Sequence, residues 1–168
     1  RTVVEDARGK KTTAYYNANN ELSLTVDALG YATAYVYDAN GNITRTTQYG
    51  KALTMPVDPA TKPVPVAAAA LDRTVFMTYD ALNRVTTMKD ALGYVTRYSY
   101  DAVGNRTVVE DANGNKSTAY YDGNNRLTLS VDALGFATTY VYDSVGNLTA
   151  TTQYGTALTM PVDPATRP

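Results

Sequence analysis

The chain contains no cysteine, no histidine and no tryptophan. Without cysteine it has no disulfide bond and no thiolate nucleophile, and without histidine it lacks the commonest general base and the usual zinc ligands. Its serines have no histidine partner for a catalytic triad. We expect a protein that is not an enzyme and that uses no cofactor and no metal.

The sequence also lacks an excess of either charge, because 15 Lys and Arg residues nearly balance 16 Asp and Glu residues. Such a chain has no strong field for holding nucleic acid or an anionic membrane. No apolar run approaches the ~18 residues needed to cross a bilayer, and no signal peptide opens the sequence, which begins at Arg1. We expect a segment of a longer protein, without a membrane span.

Large apolar side chains are few, with only two Phe residues, whereas tyrosine occurs 15 times. The low net charge and the many tyrosines argue against disorder. The composition predicts a thin wall rich in Tyr and Thr instead of a thick apolar core.

A repeat dominates what remains of the sequence. The phrase Tyr-x-Tyr-Asp-x-x-Gly-Asn occurs at 35–42, 98–105 and 140–147, and its aspartate position recurs at intervals of 21 residues or twice that. Repeats of this length indicate an array of stacked supersecondary units. The chain is predicted to be one continuous array over 1–168, in eight blocks: 1–21, 22–42, 43–63, 64–84, 85–105, 106–126, 127–147 and 148–168.

A second period of 105 residues lies over the first, since 1–63 match 106–168 at 47 of 63 positions. Each of these superunits includes a proline-rich stretch, at 55–72 and again at 160–168. Proline cannot donate to a central ladder, so these stretches are predicted to leave the sheet as loops or edge excursions. The segment VPVAAAALD at 64–72 is a short helix, a strand docked on the next unit, or a linker, and its periodic recurrence favours a contact.

The local pattern within one block is that of a β-hairpin. The sequence LSLTV at 22–26 alternates apolar and hydroxyl side chains, as a half-buried strand does. The sequence DALG at 27–30 has Asp first and Gly fourth, as in a type I turn. A return strand at 31–37 places its tyrosines on one face and its alanines on the other, and DANG at 38–41 turns the chain again.

Eight such hairpins give roughly sixteen strands, spaced ~4.8 Å apart. Twisted open sheets rarely exceed ~10 strands without curling. The predicted fold class is therefore all-β, with antiparallel hairpins forming a curled, spiralling sheet that is the wall of a tube or shell.

The residues predicted to support the turns and the tyrosine ladder form two sets. In both, an acid or amide opens the turn and Gly or Asn takes the left-handed conformation that closes it. The first set follows or includes the repeated tyrosine: Tyr16, Asn17, Asn20; Tyr37, Asp38, Gly41; Tyr79, Asp80, Asn83; Tyr100, Asp101, Gly104; Tyr121, Asp122, Asn125; Tyr142, Asp143, Gly146. The second set lies at the other turn: Asp27, Gly30; Asp90, Gly93; Asp132, Gly135.

The Tyr-Asp phrase, followed by an apolar strand and repeated every 21 residues, resembles the YD repeats of Rhs-type proteins. The sequences YVYDANGNI, MTYDALNRV, YSYDAVGNR and YVYDSVGNL carry the resemblance. Relatives in that family include the shell-forming subunits of insecticidal toxin complexes and the teneurin ectodomains.

This resemblance implies a long β-sheet spiralling into a hollow shell, which in the family often encloses a toxic C-terminal segment released by an aspartyl autoprotease region. It also implies a bacterial protein that is extracellular or at the cell surface. Nothing in this sequence resembles the autoprotease or a toxin, and near-identical units generate an open tube or fibre. We expect a non-catalytic structural scaffold whose partners are further repeats of its own or neighbouring chains. The alternatives are a shell that encloses and delivers a toxin, and an adhesin that binds surface glycans.

Several residues also allow a chemical interpretation. The turn aspartates can be drawn as acid-base pairs, but each opens a turn, and DANGN lacks the bidentate Glu of a calcium loop. Asn42, Asn105, Asn115 and Asn147 begin glycosylation triplets, although the turns already demand asparagine. Six tyrosines form either a sugar-binding stripe or packed ladders bonded to neighbouring turns, and packing is favoured: Tyr35, Tyr37, Tyr98, Tyr100, Tyr140 and Tyr142.

Overall fold

The structure, a computed structural model that describes residues 2–168, consists of β-strands joined by turns and loops. The prediction of an all-β, antiparallel fold is confirmed. Within 2–168 no helix has the length and apolarity that a membrane crossing requires. The strands are β1 Thr2–Glu5, β2 Lys11–Tyr16, β3 Leu22–Val26, β4 Ala32–Tyr37, β5 Ile43–Gln48, β6 Arg73–Tyr79, β7 Val85–Lys89, β8 Val95–Tyr100, β9 Arg106–Glu110, β10 Lys116–Tyr121, β11 Leu127–Val131, β12 Ala137–Tyr142 and β13 Leu148–Gln153.

The chain divides into two compact units, one ending at Gly93 and the other beginning at Tyr94. In the first unit, strands β1 to β7 pair antiparallel in chain order. In the second unit, β8 to β13 do the same. Neighbours in the sequence are therefore neighbours in the sheet, as short hairpin connections require.

The predicted number of about sixteen strands is wrong, because residues 2–168 contain thirteen. Three blocks, 43–63, 64–84 and 148–168, contribute one strand each. Their other halves lie in two proline loops, 49–72 and 154–168, which contain no strand. The prolines explain this, because they remove ladder donors where a second strand would otherwise form.

The first proline loop folds back over one face of its own unit. Tyr49 N donates to Ala32 O and Leu53 N donates to Gly30 O, both at 2.9 Å, so the loop first runs beside the start of β4. Farther along, the Tyr15 hydroxyl donates to Asp58 O at 2.9 Å. These bonds join residues that are far apart in the sequence and hold the loop on the sheet.

This contact creates the buried core of the first unit. Tyr15, Leu24, Val26 and Ala32 are at most 4% exposed. Leu53, Met55 and Val57 of the loop pack against them, as do Ala34 of β4 and Tyr49 at the start of the loop. A single sheet buries one face only when another layer covers it, and here the proline loop supplies that layer.

The second unit repeats the arrangement. Tyr120, Leu129 and Val131 are buried beneath Leu158, Met160 and Val162. The Tyr120 hydroxyl donates to Asp163 O at 2.8 Å, and Leu158 N donates to Gly135 O at 2.9 Å. The 105-residue period of the sequence is thus a period of covered cores.

The segment 64–72 is neither helix nor strand, so two of its three sequence interpretations are wrong. It ends in a turn held by the Asp72 carboxylate, which accepts hydrogen bonds from Ala68 N and from Gly50 N, each at 2.9 Å. The segment therefore closes the first proline loop, and the contact it makes is with its own unit.

The covered core predicts a large cost for truncating Leu24, which is fully buried. We expect Leu24→Ala to lower the free energy of unfolding of the first unit by about 2–5 kcal/mol, since it leaves a cavity beneath the loop. Leu92→Ala, at an 82% exposed turn position of the same unit, is the control and should change stability by less than about 0.5 kcal/mol. Urea unfolding measures both, and equal losses would contradict a loop-covered core.

Substitution of two glycines, Gly135 and Gly146, distinguishes the cost of backbone strain from the cost of a clash with the proline loop. Gly135 and Gly146 both have positive φ, 90° and 94°. A Cβ on Gly146 meets no atom within 4 Å, whereas a Cβ on Gly135 would lie 2.5 Å from Leu158 O. Gly146→Ala is expected to cost about 1–2 kcal/mol through conformation alone, and Gly135→Ala to cost more and to release the loop. Urea unfolding with amide exchange at Leu158 tests the difference; unchanged exchange there in Gly135→Ala would refute it.

Candidate functional site: the Tyr-Asp corners

The Tyr-Asp corners are the six five-residue turns that follow the repeated tyrosine, and the corner at Asp38 shows their geometry. Asp38 N donates to Asn42 O at 2.9 Å and Gly41 N donates to Asp38 O at 3.2 Å. One carboxylate oxygen of Asp38, Oδ1, accepts from Asn40 N and from Asn42 N, both at 2.9 Å. A single acidic side chain therefore satisfies two backbone donors that the turn leaves unpaired. The six corners are 17–21, 38–42, 80–84, 101–105, 122–126 and 143–147.

The fourth corner position requires a left-handed backbone. Gly41 has φ 84° and Asn83, at the same position of its own corner, has φ 61°. Glycine has no Cβ to clash in this region, and asparagine tolerates it better than most residues. The predicted exchange between Gly and Asn is thus an exchange between two residue types that fit one conformation.

The fifth corner position binds the second carboxylate oxygen, which sequence reasoning missed. Asn42 Nδ2 donates to Asp38 Oδ2 at 3.0 Å, and Arg84 Nε donates to Asp80 Oδ2 at 2.7 Å. Tyr-Asp corners with Gly at the fourth position have Asn at the fifth, whereas Asp80 and Asp122 open corners with Asn fourth and Arg fifth. The joint occurrence of Gly with Asn, and of Asn with Arg, at these two positions was the sequence signal that could have revealed the fifth-position contact.

One corner exchanges the acid and the amide. Asn17 opens it, and its Nδ2 donates to Glu21 Oε2 at 2.6 Å. Asn17 Oδ1 still accepts from Asn19 N and Glu21 N. The corner therefore needs an oxygen at the first position and a donor-acceptor pair between the first and fifth positions, whichever residue is charged.

These bonds lower the pKa of the corner aspartates, because they stabilise the ionised carboxylate. For four of them, the largest contribution is the side chain of the fifth-position asparagine, and for the two others it is the backbone N–H of the fifth-position arginine. The first group is Asp38, Asp101, Asp143 and also Asp111, which opens a turn at the other end of the strands; the second group is Asp80 and Asp122.

The repeated tyrosine links one Tyr-Asp corner to the corner before it in the sheet. The Tyr37 hydroxyl donates to Leu22 O at 2.8 Å, and the Tyr79 hydroxyl donates to Ile43 O at 2.8 Å. Each acceptor is the first residue of the strand that leaves the preceding corner. Tyr121 and Tyr142 make the same bond to Arg106 O and Leu127 O. Burial raises the pKa of Tyr37 and of Tyr79, so both remain donors at neutral pH.

A β-bulge follows every Tyr-Asp corner and was also missed. Tyr37 pairs with Ile43 while Val36 pairs with Arg45, which leaves Thr44 as the extra residue. The Thr44 hydroxyl donates to Val36 O at 3.2 Å. The extra residue is Ser or Thr in all six cases, a recurrence that the sequence displays: Ser23, Thr44, Thr86, Thr107, Thr128 and Thr149.

Asparagine side chains connect neighbouring Tyr-Asp corners within a unit. Asn42 Nδ2 donates to Asn83 Oδ1 at 2.7 Å in the first unit, and Asn105 Nδ2 donates to Asn125 Oδ1 at 3.0 Å in the second. In addition, the Arg126 guanidinium lies over the Tyr142 ring, 4.9 Å from its centroid. The corners therefore form a polar ladder along one end of the strands.

At the other end of the strands lie the opposite corners, opened by Asp27, Asp90 and Asp132 among others. Asp27 Oδ1 accepts from Leu29 N and Tyr31 N at 2.9 Å, and Gly30 N donates to Asp27 O at 3.0 Å. The corners at Asp90 and Asp132 have the same i to i+3 bond, closed by Gly93 and Gly135. Their third residues are exposed leucines, so these turns are polar in their bonding and apolar at their tips.

The side chains considered above for acid-base chemistry, metal binding and glycosylation make hydrogen bonds within the turns. The Asp38 carboxylate accepts three hydrogen bonds from its own corner, and the amides of Asn42, Asn105, Asn115 and Asn147 each donate to a corner aspartate. Within residues 2–168 no group of three His, Cys, Asp or Glu side chains is placed to hold a metal ion. All six tyrosines of the suggested glycan stripe are half-buried. The large exposed tyrosines are others, among them Tyr31 and Tyr94.

The sequence matches the family model described as RHS Repeat over 16–51, 79–116 and 121–157, well over half of the chain. The chain belongs to the RHS repeat family. Each matched range begins at the tyrosine of a Tyr-Asp corner, so the family repeat and the corner have the same phase. No curated protein sequence matches the chain.

Solved structures that are similar to this RHS repeat segment include that of TcdB2-TccC3, with 18% sequence identity and a TM-score of 0.49. That match covers 86% of this chain and 9% of the other. A Photorhabdus luminescens Tc holotoxin pore matches with 14% identity and a TM-score of 0.47, over 90% of this chain and 10% of the other. The segment thus spans no more than a tenth of the length of either chain.

The Asp143 corner provides a test of the fifth position. Asn147→Ala removes the side chain that contributes most to the lowered pKa of Asp143, so the pKa of Asp143 should rise toward its ordinary value. Val145→Ala is the matched control, because Val145 contributes only its backbone N–H to Oδ1. Carbon-detected NMR titration of the carboxyl group measures both.

The same change alters the pH dependence of stability. A lowered folded-state pKa gives stability that is present above the unfolded value of about 3.9 and is lost as pH falls through the folded pKa. In Asn147→Ala this contribution should shrink at neutral pH. An unmoved Asp143 titration would refute the role assigned to the fifth position.

Proposed function

We propose that this chain is a non-catalytic scaffold segment, a stretch of the wall of a larger RHS repeat protein. The observation that carries the proposal is the internal use of the repeated polar residues. The tyrosine hydroxyl, the aspartate carboxylate and the fifth-position side chain each bond to their own or a neighbouring corner. A catalytic or ligand-binding repeat would present such polar side chains to a ligand, whereas here they hydrogen-bond to the turns and strands of the sheet.

The arrangement suits a wall that grows by addition. In each unit the strands follow chain order, and contacts are made with adjacent strands and with one proline loop. Stability in such arrays is a sum of repeat and neighbour terms. We further propose that this wall lies outside the cell or at its surface, with further repeats as its partners and with a single curled sheet over the whole array; membership of the RHS repeat family supports this proposal.

A shell enclosing a toxin is the first alternative, since Tc toxin complexes are among the similar structures. That role would require a cargo and the shell's ends, for which residues 2–168 give no support. The scaffold role holds for both an open tube and a closed shell.

A tandem array tests the scaffold. A second copy of residues 64–168 is added after Pro168, and urea unfolding and small-angle X-ray scattering compare this array with the original chain. We expect the denaturant m-value and the maximum dimension both to increase, because an added repeat extends one cooperative wall. The control is an equally long extension of flexible Gly-Ser linker, which should leave the m-value unchanged.

Separate unfolding of the added residues, with no gain in m-value, would contradict a continuous wall. Specific glycan binding by the original chain that disappears in Tyr31→Ala and Tyr94→Ala would instead favour the adhesin. These two positions are chosen because they are 46% and 58% exposed.

A further inference from the structure

Four exposed residues form one row across the neighbouring strands β4 to β7 of the first unit. The register places Val36 opposite Arg45 and Arg45 opposite Phe76. Phe76 in turn lies opposite Lys89. Residues directly opposite each other in antiparallel strands project from the same face of the sheet. Val36 is 39% exposed and Phe76 is 44% exposed, and both cations are exposed as well. The row therefore alternates apolar and positively charged side chains at the surface.

The row lies on the face of the sheet that the first proline loop covers elsewhere. Ala34 of β4 packs against the loop-covered core, whose buried residues belong to β2, β3 and β4. Val36 projects from the same face as Ala34, because side chains alternate along a strand. Arg45, Phe76 and Lys89 lie farther along, on β5, β6 and β7, and their exposure shows that the loop does not extend over them.

The two cations of the row have no acidic partner. Among residues 2–168, no Asp or Glu side chain forms an ion pair with Arg45 or with Lys89. A row in the second unit shows the other arrangement, since Glu110 lies opposite both Arg97 and Lys116 and forms an ion pair with each at 3.4 Å. Those cations are neutralised within the protein. In the first unit the position between the cations is aromatic, so both remain available to an external anion.

Hydroxyl groups border the aromatic ring along its own strand. Thr74 and Thr78 lie two residues to either side of Phe76 in β6 and project from the same face. Thr78 Oγ1 and Thr87 Oγ1 are hydrogen-bonded at 2.7 Å, and Thr47 Oγ1 and Thr74 Oγ1 at 3.2 Å. The ring and the two cations are thus surrounded by groups that both donate and accept hydrogen bonds.

This combination fits a ligand that has carboxylates, hydroxyls and an apolar ring face. Guanidinium and ammonium groups bind carboxylates through charge-assisted hydrogen bonds, and an aromatic ring packs against the C–H face of a sugar. Strands are spaced ~4.8 Å apart, which is comparable to the length of one sugar ring. Successive rings of a linear polysaccharide that crosses the strands would therefore meet successive side chains of the row.

We propose that Val36, Arg45, Phe76 and Lys89 bind an acidic polysaccharide, a linear chain of uronic acid sugars that lies across strands β4 to β7. One sugar ring stacks on Phe76, and the carboxylates of the rings on either side pair with Arg45 and Lys89. Val36 packs against the ring beyond Arg45. This site adds a ligand to the proposed scaffold and does not depend on the scaffold role.

Charge and size select this occupant over two others. The chain has a formal net charge of −1, so two local cations do not provide the extended positive surface that nucleic acid requires. A row four side chains long is also much smaller than the ~800 Å² that each partner buries in a stable protein interface. Spaced carboxylates on a narrow, extended polymer match the two cations on either side of a ring.

The test is calorimetric titration of the full 168-residue chain with an oligogalacturonate long enough to cross the four strands, together with ¹⁵N amide shifts. We expect saturable binding, with shift changes centred on positions 36, 45, 76 and 89. Arg45→Ala and Lys89→Ala should each weaken binding about tenfold, because each removes a charge-assisted hydrogen bond. Alanine is the residue of β13 at the position equivalent to Arg45, namely Ala150.

Two variants and one modified ligand are the controls. Arg97→Ala removes an exposed cation that is already paired with Glu110, and it should leave the affinity unchanged. Phe76→Ala should weaken binding about tenfold or more, whereas Phe76→Tyr keeps a ring and should retain binding, which separates lost stacking from lost folding. Methyl-esterified oligogalacturonate has the same rings without the charge and should bind at least about tenfold more weakly.

Several results would overturn the proposal. These are the absence of saturable oligogalacturonate binding, equal binding of the methyl ester, and binding that Tyr31→Ala removes while Phe76→Ala does not. Equal binding of polyglutamate would assign the row to acidic peptides, and tighter binding of single-stranded DNA would assign it to nucleic acid, and either result excludes a polysaccharide site. The tandem-array test of the scaffold is independent of all these outcomes.

Discussion

The structure depends on one interaction, the acceptance of two backbone N–H groups by a single side-chain oxygen, in most cases that of an aspartate, at the corner between strands. In the corner at Asp38 this bond closes a five-residue turn with one residue in the left-handed region. A type I turn followed by a residue in the left-handed region is one of the common connections between antiparallel strands. Because a corner of this kind recurs at a fixed spacing, strand length and register are set locally, before any distant contact is made. The apolar residues can then be few.

A sheet built in this way is well hydrogen-bonded at the ends of its strands but has few apolar side chains to bury. The proline loops compensate for this, because each packs apolar side chains against one group of strands. Each loop also accepts a hydrogen bond from a tyrosine hydroxyl of the sheet, from Tyr15 at Asp58 O and from Tyr120 at Asp163 O. Stability is therefore concentrated: the corners order the strands, and the loop-covered cores around Leu24 and Leu129 supply the hydrophobic term. The remaining strands depend on their neighbours.

The corners and the all-β class follow from the sequence because their causes are local. Asp at the first position, Gly41 or Asn83 at the fourth and alternating strand residues are visible within a few positions. The predicted strand count is too high because the proline-rich loop replaces whole strands and does not merely interrupt them. The docking of Asp58 onto Tyr15 joins residues 43 apart, a pairing that no local pattern reveals. The bulge hydroxyl at Thr44 and the fifth-position partner were visible as recurrences, but their meaning needed the register.

The separation in sequence between each proline loop and the strands it covers limits how such a protein can change its length. Removing the block 22–42 would take Leu24, Val26 and Ala32 away from the loop that ends their exposure. Duplicating it alone would leave a second set of these side chains with no loop above them. A covered core therefore survives recombination between repeats only when the three blocks that build it are exchanged together, and in the first unit these blocks are 1–21, 22–42 and 43–63.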